Sequence, residues 1–138
     1  VNGLNKTTPS EQTDVVKFDN ITISSLIGVR IVSSVIEIED RQFDGEVFNS
    51  EKPVLVYFWA SWCGPCRLVS PSINWIADNY QDRLKVIKLE VDPSPESRTK
   101  CQVEGVPAIR LFKNNEVVAT HEGAIGKQQL QSMLDNHL

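Results

Sequence analysis

The chain has 138 residues, 41% of them hydrophobic and 23% charged, with a net charge of −4 from 14 basic and 18 acidic side chains. That is the composition of one soluble globular domain, long enough to bury a core. No Lys/Arg block or aromatic-basic stripe points to nucleic acid, and no apolar run approaches the roughly 18 residues of a membrane span, since Arg30 interrupts "SSLIGVRIVSSV".

Residues 1–20 are polar, rich in Thr, Asn and Ser, and without periodicity until "VVKF", so they read as an arm. They carry no secretory signal pattern; the chain opens on Val1, which leaves a trimmed start open. Residues 21–33 are more apolar and β-branched, and are expected to add a strand, to pack along a sheet edge, or to extend the domain with no part in its chemistry. Residues 1–33 are therefore set apart as an N-terminal extension and residues 34–138 as the domain.

From Ser34 onward strand and helix patterns alternate. A strand is predicted over 35–38, a helix over 40–49, a strand over 53–60, a helix over 64–80 and a strand over 84–91. A short helix follows at 95–102, then strands over 108–113 and 116–122, and a closing helix over 126–137 with Leu130, Met133 and Leu134 on one face. The run "VLVYFWA" is almost unbroken in its hydrophobicity, as a central strand covered on both faces requires. Asn114 and Asn115 separate the last two strands, and paired asparagines tolerate the positive φ of a tight hairpin. The predicted class is α/β: a central mixed sheet flanked by helices, in βαβ-plus-ββα order.

Cys63 and Cys66 stand three positions apart where the central strand gives way to a helix. A cysteine there has its sulfur near unpaired backbone N–H groups and the positive end of the helix dipole, both of which favour thiolate. The second cysteine lies on the same helical face, close enough to close a small disulfide ring. Gly64 and Pro65 permit the tight turn between them. The pattern suits thiol–disulfide exchange, with Cys63 attacking and Cys66 resolving. A zinc site is not expected: the remaining ligands, Cys101, His121 and His137, occur singly and far apart. Cys101 reads as a small buried hydrophobe that an oxidant could modify, and both histidines as surface residues. Three cysteines, one pair and one left over, suggest a reducing compartment.

The stretch "FWASWCGPCR" resembles the active-site signature of the thioredoxin family, with Trp62 to Cys66 unaltered, and the similarity runs from about Val35 to Leu138. The resemblance implies the thioredoxin fold, with Cys63 as nucleophile and Cys66 as resolving thiol. It makes Pro107 in "GVPA" a cis-proline facing the pair, and Trp62, Val106, Gly123 and Ala124 the lining of an apolar docking groove. Trp59 matches the residue behind the active site, Pro71 the kink in the long helix, and Lys88 a lysine near the resolving cysteine. It further implies a cytoplasmic, monomeric reductant of disulfides in partner proteins, which has no bound cofactor and draws electrons from a thioredoxin-reductase-type donor.

Departures from the family pattern are local. Tyr57 stands in "VYFWA" where the family has an aspartate held to help deprotonate the resolving cysteine. Glu104 and Glu122 lie on the expected docking rim, where the family has basic, neutral or apolar residues; as isolated surface carboxylates they would disfavour acidic partners. These departures leave two alternatives to a reductase: a partner-binding module on the same fold with weak or altered redox activity, and a disulfide oxidase or isomerase. The Gly-Pro dipeptide, by resemblance, accompanies reducing members.

Overall fold

The most apolar run of the chain occupies the middle of the sheet. In the computed structural model, which describes residues 34–138, strand β2 (Val54–Trp59) lies between β3 (Lys85–Glu90) and β4 (Ala108–Lys113), with β1 (Val35–Ile38) and β5 (Glu116–Glu122) outside them. β1, β3 and β2 run parallel, while β4 pairs antiparallel with both β2 and β5. The expectations for residues 1–33 lie outside the described residues.

Each face of β2 feeds a separate core. Val54, Val56 and Phe58 pack with Phe43, Ile87, Leu89 and Phe112 on one side. Leu55 and Tyr57 pack with Ile73, Ile76, Leu130 and Leu134 on the other. The second core is covered by α2 (Gly64–Asn79) and α4 (Lys127–Asp135), whose buried residues recur at the three- and four-residue spacing of one helical face. Pro71 falls inside α2, and the helix continues through it to Asn79.

The helix predicted over 40–49 is shorter and divided: a 3-10 turn at Asp40–Gln42, then α1 (Phe43–Val47). Glu39 and Gln42 cap that turn reciprocally, and the chain leaves helical geometry at Phe48, with Asn49 at φ 64°. Asp40 serves α3 (Pro95–Lys100) instead of its own segment, accepting from the N–H groups of Ser97 at 2.7 Å and Glu96 at 3.0 Å. The hairpin turn is as predicted, with Asn114 and Asn115 at φ 55° and 67°.

Because β4 runs against β2, the end of β2 lies beside the start of β4, with Phe58 paired to Ala108. The end of β5 joins them, Glu122 pairing with Ala108. Three loops thus converge at one end of the sheet: those carrying Cys63, Pro107 and Gly123.

Candidate active site

Cys63 is the N-cap of α2 and is linked to Cys66 by a disulfide, their Cα atoms 5.4 Å apart. Its sulfur accepts the Cys66 N–H at 3.2 Å, one of the helix's otherwise unpaired donors. Pro65, in the first turn of α2, removes a donor that the helix could not pair, and Gly64 opens the helix with open space where a Cβ would stand. Both cysteines are buried in this oxidised state.

Trp62 is two-thirds exposed, and its Nε1 donates to Asp92 Oδ2 at 2.7 Å, which fixes a large apolar ring beside the pair. The Val106–Pro107 peptide is cis. Val106 is half-buried and packs against the core cluster that contains Cys63 and Cys66. Its backbone N–H and C=O make no hydrogen bond among the described residues. The Pro107 carbonyl accepts from the Gly123 N–H at 2.8 Å, and Gly123, at φ 103°, turns the chain out of β5 in a conformation that favours glycine. Ala124 is exposed beyond it.

Tyr57 is fully buried, and its hydroxyl donates to the Cys66 backbone carbonyl at 2.9 Å. Ser70 Oγ donates to the same carbonyl at 3.1 Å and lies 3.4 Å from the Tyr57 hydroxyl. Burial raises the Tyr57 pKa above its ordinary 10.0, against the Ser70 hydrogen bond, which works the other way. At neutral pH the residue is a neutral donor and no substitute for a carboxylate base. Lys88, opposite Tyr57 in the sheet, holds its ammonium 4.6 Å from the centre of the Trp59 ring.

The third thiol, Cys101, is buried, and burial pushes it up to about 11, with the Arg110 and Lys100 charges pulling the other way. It stays protonated at neutral pH.

Glu122 departs from its expected role. It is no isolated surface carboxylate: Oε2 meets Arg110 Nη2 at 2.7 Å and accepts the Glu104 N–H at 3.2 Å, while Oε1 accepts the Gly105 N–H at 3.3 Å. Arg110, buried on β4, was absent from the residues that the sequence singled out. A signal for it existed. Arg110 interrupts the apolar run "AIRLF", but Glu122 becomes its diagonal cross-strand neighbour only through the irregularity between Leu111 and Phe112, which shifts the register that the Asn114–Asn115 turn sets. Glu104 keeps an exposed side chain. Among the described residues no group of His, Cys, Asp and Glu side chains is arranged to hold a metal ion, and no helix is long and apolar enough to cross a membrane.

A Cys-x-x-Cys disulfide at the head of a helix, on a mixed sheet of this order, defines a thiol–disulfide oxidoreductase. The sequence profile described as "Thioredoxin" matches residues 34–136. A thioredoxin-like protein of Synechocystis sp. is 61% identical over 105 residues, covering 76% of this chain and 96% of that protein. The thioredoxin of Acidithiobacillus ferridurans is 42% identical (76% and 97% covered), and that of Pseudomonas aeruginosa 39% identical (75% and 96%). The chain belongs to the thioredoxin family.

Proposed function

We propose that the chain reduces disulfides in partner proteins, with Cys63 as the attacking thiol and Cys66 as the resolving one. The observation that carries the assignment is the Cys63 sulfur at the N-cap of α2, accepting the Cys66 N–H. In the reduced protein that donor and the helix dipole favour the Cys63 thiolate. The thiolate attacks one sulfur of the substrate disulfide, forming a Cys63–substrate bond and expelling the other substrate sulfur, which takes a proton. Cys66 then loses its proton and attacks Cys63 Sγ, releasing the second substrate thiol. Two electrons pass to the substrate, and the protein is left with the Cys63–Cys66 disulfide. An external dithiol donor of the thioredoxin-reductase type restores the thiols.

Docking in this reading uses the open backbone of Val106, to which an extended substrate segment adds as a strand, over the apolar surfaces of Trp62, Val106, Gly123 and Ala124. Pro107 lacks an N–H, so the backbone at this turn presents fewer competing donors. Lys88 stays a supporting residue through Trp59. The working unit is residues 34–138, acting as a cytoplasmic monomer without a bound cofactor, and 1–33 are an extension outside the chemistry.

Limited alkylation of the reduced protein followed by peptide mapping tests the assignment. Cys63 is expected to label first. Cys101, titrating near 11, is only about one part in ten thousand thiolate at neutral pH and should label last. Preferential labelling of Cys66 or Cys101 would overturn the assignment.

A further inference from the structure

The segment between α3 and Pro107 has no regular secondary structure of its own; charged side chains hold the carbonyls of residues 101–104 and the N–H groups of Glu104 and Gly105, while the N–H groups of Cys101, Gln102 and Val103 bond to α3 carbonyls. Arg110 donates from Nε to the Cys101 carbonyl at 2.9 Å and from Nη2 to the Gln102 carbonyl at 2.9 Å; its Nη1 donates to the Ile109 carbonyl at 3.0 Å. Arg98 takes the next two carbonyls, Val103 through Nε at 3.1 Å and Glu104 through Nη2 at 3.0 Å. Glu122 accepts the N–H groups of Glu104 and Gly105 and closes on Arg110 Nη2 at 2.7 Å. The hold stops at Gly105. The next residue is Val106, whose backbone is open.

Arg110 is buried beneath this segment, with its side chain 6% exposed, whereas the Glu122 side chain is 35% exposed. Hydrogen bonds that involve an ionised partner are shorter and stronger than neutral ones, and a guanidinium and a carboxylate bind several backbone groups at fixed angles. Mere neutralisation of a buried cation would need one carboxylate contact. Here Glu122 spends its other bonds, and Arg110 two of its other three, on the backbone of one segment, the five residues leading to Val106.

We propose that the Arg110–Glu122 pair is a positioning device for substrate docking: it clamps residues 101–105 from β4 and β5 so that the Val106 backbone is pre-set to receive a substrate strand. The proposal rests on the docking reading above. Pre-setting a binding segment lowers the ordering cost of association and leaves the bond-making step at Cys63 alone. Among the kinetic constants, loss of the clamp should therefore appear in KM for substrates that need the strand contact, and not in kcat.

The test compares wild type, Glu122→Val and Glu122→Gln on two disulfides: insulin, a polypeptide that in the docking reading seats its backbone on Val106, and hydroxyethyl disulfide, which has no backbone to dock. With Glu122→Val, KM for insulin should rise about tenfold, the loss of roughly one charge-assisted hydrogen bond, while kcat stays at the wild-type value. Rates with hydroxyethyl disulfide should match wild type, and the Glu104 and Gly105 amides should exchange hydrogen faster. Glu122→Gln keeps the shape and one acceptor, should shift the same quantities in the same direction by less, and decides the matter if Glu122→Val does not fold. Faster amide exchange with an unchanged insulin KM would overturn the proposal, since the pair would then hold the loop without serving docking. A fall in rate with both disulfides would overturn it in favour of a general structural role. A wild-type protein that reduces hydroxyethyl disulfide but shows no saturation with insulin would sink the docking reading itself, and this proposal with it.

Discussion

Tyr57 and Arg110 lie on adjacent central strands and face opposite sides of the sheet: Val56 pairs with Arg110, Tyr57 with Ile109, and the two pairs belong to different cores. Each holds the backbone carbonyl of a cysteine, Cys66 in one case and Cys101 in the other. On the Tyr57 side the donor is a neutral hydroxyl, backed by a second hydroxyl from Ser70. On the Arg110 side it is a full charge, with Glu122 as its counter-ion. The first cysteine is half of the disulfide and the second is a free, buried thiol. A charge beside Cys66 would change the field at a cysteine of the redox pair, whereas the charge beside Cys101 acts on a buried free thiol and on the loop that follows it. Burying an ion is tolerable where its partners surround it, and Arg110 has four acceptors.

The comparison is broken most severely by placing a charge on the neutral side. Tyr57→Asp exchanges a fully buried ring for a smaller, ionisable group and should cost about 4 kcal/mol in urea unfolding. If the deprotonation of Cys66 limits turnover, the same variant should reduce insulin faster than wild type under saturating reductant, because a carboxylate would then be at hand to take the proton. An unchanged or lower turnover in the folded variant, with resolution shown to be rate-limiting, would leave Tyr57 as a packing residue only.

Removing the charge from the other side should do less. Arg110→Leu leaves the carbonyls of Cys101, Gln102 and Ile109 without that donor, and Glu122 without its cation. Since Glu122 is partly exposed and water can reach it, a loss of about 3 kcal/mol is expected in the same assay. A loss as large as that of Tyr57→Asp would mean that the guanidinium supports more than one loop.

The smallest effect sharpens the contrast through pH. The Arg110 guanidinium, followed by the Glu104 and Gly105 amides, holds the Glu122 carboxyl below its ordinary 4.5, with burial working the other way. A carboxyl whose folded value lies below its unfolded one stabilises the fold above the unfolded value, and that contribution is lost as pH falls through the folded one. The stability gap between wild type and Glu122→Gln should therefore narrow as pH drops from about 5 to about 3. A gap that does not change over that window would mean the carboxylate charge contributes nothing. Tyr57 stays neutral throughout and adds no slope of its own.

What the sequence made legible follows from how local each signal is. The continuous apolar run of β2, the alternation of strands and helices, and the paired asparagines each act over a few residues, so the sheet, its flanking helices and the hairpin could be read directly. So could the cysteine pair, whose spacing and place at the head of a helix are both short-range. Arg110 was missed because its role depends on a register set by pairings elsewhere in the sheet, and a lone charge in a strand gives no sign of its partner. Glu122 was misjudged for the same reason. The length of the first helix was overestimated because Asp40, a helix-starting residue by type, caps α3, more than fifty positions along the chain.

The antiparallel pairing of β2 with β4 has a consequence for how function is lost. The residues it joins are fifty or more positions apart at Val54↔Phe112 and at Phe58↔Ala108, so Val106 and Cys63 become neighbours only once the middle of the sheet has zipped together. A partly unfolded molecule that keeps the first turn of α2 still owns two reactive thiols but has no track on which to seat a protein substrate. Reduction of a folded partner is thus an all-or-none property of the domain, and thiol reactivity by itself is not.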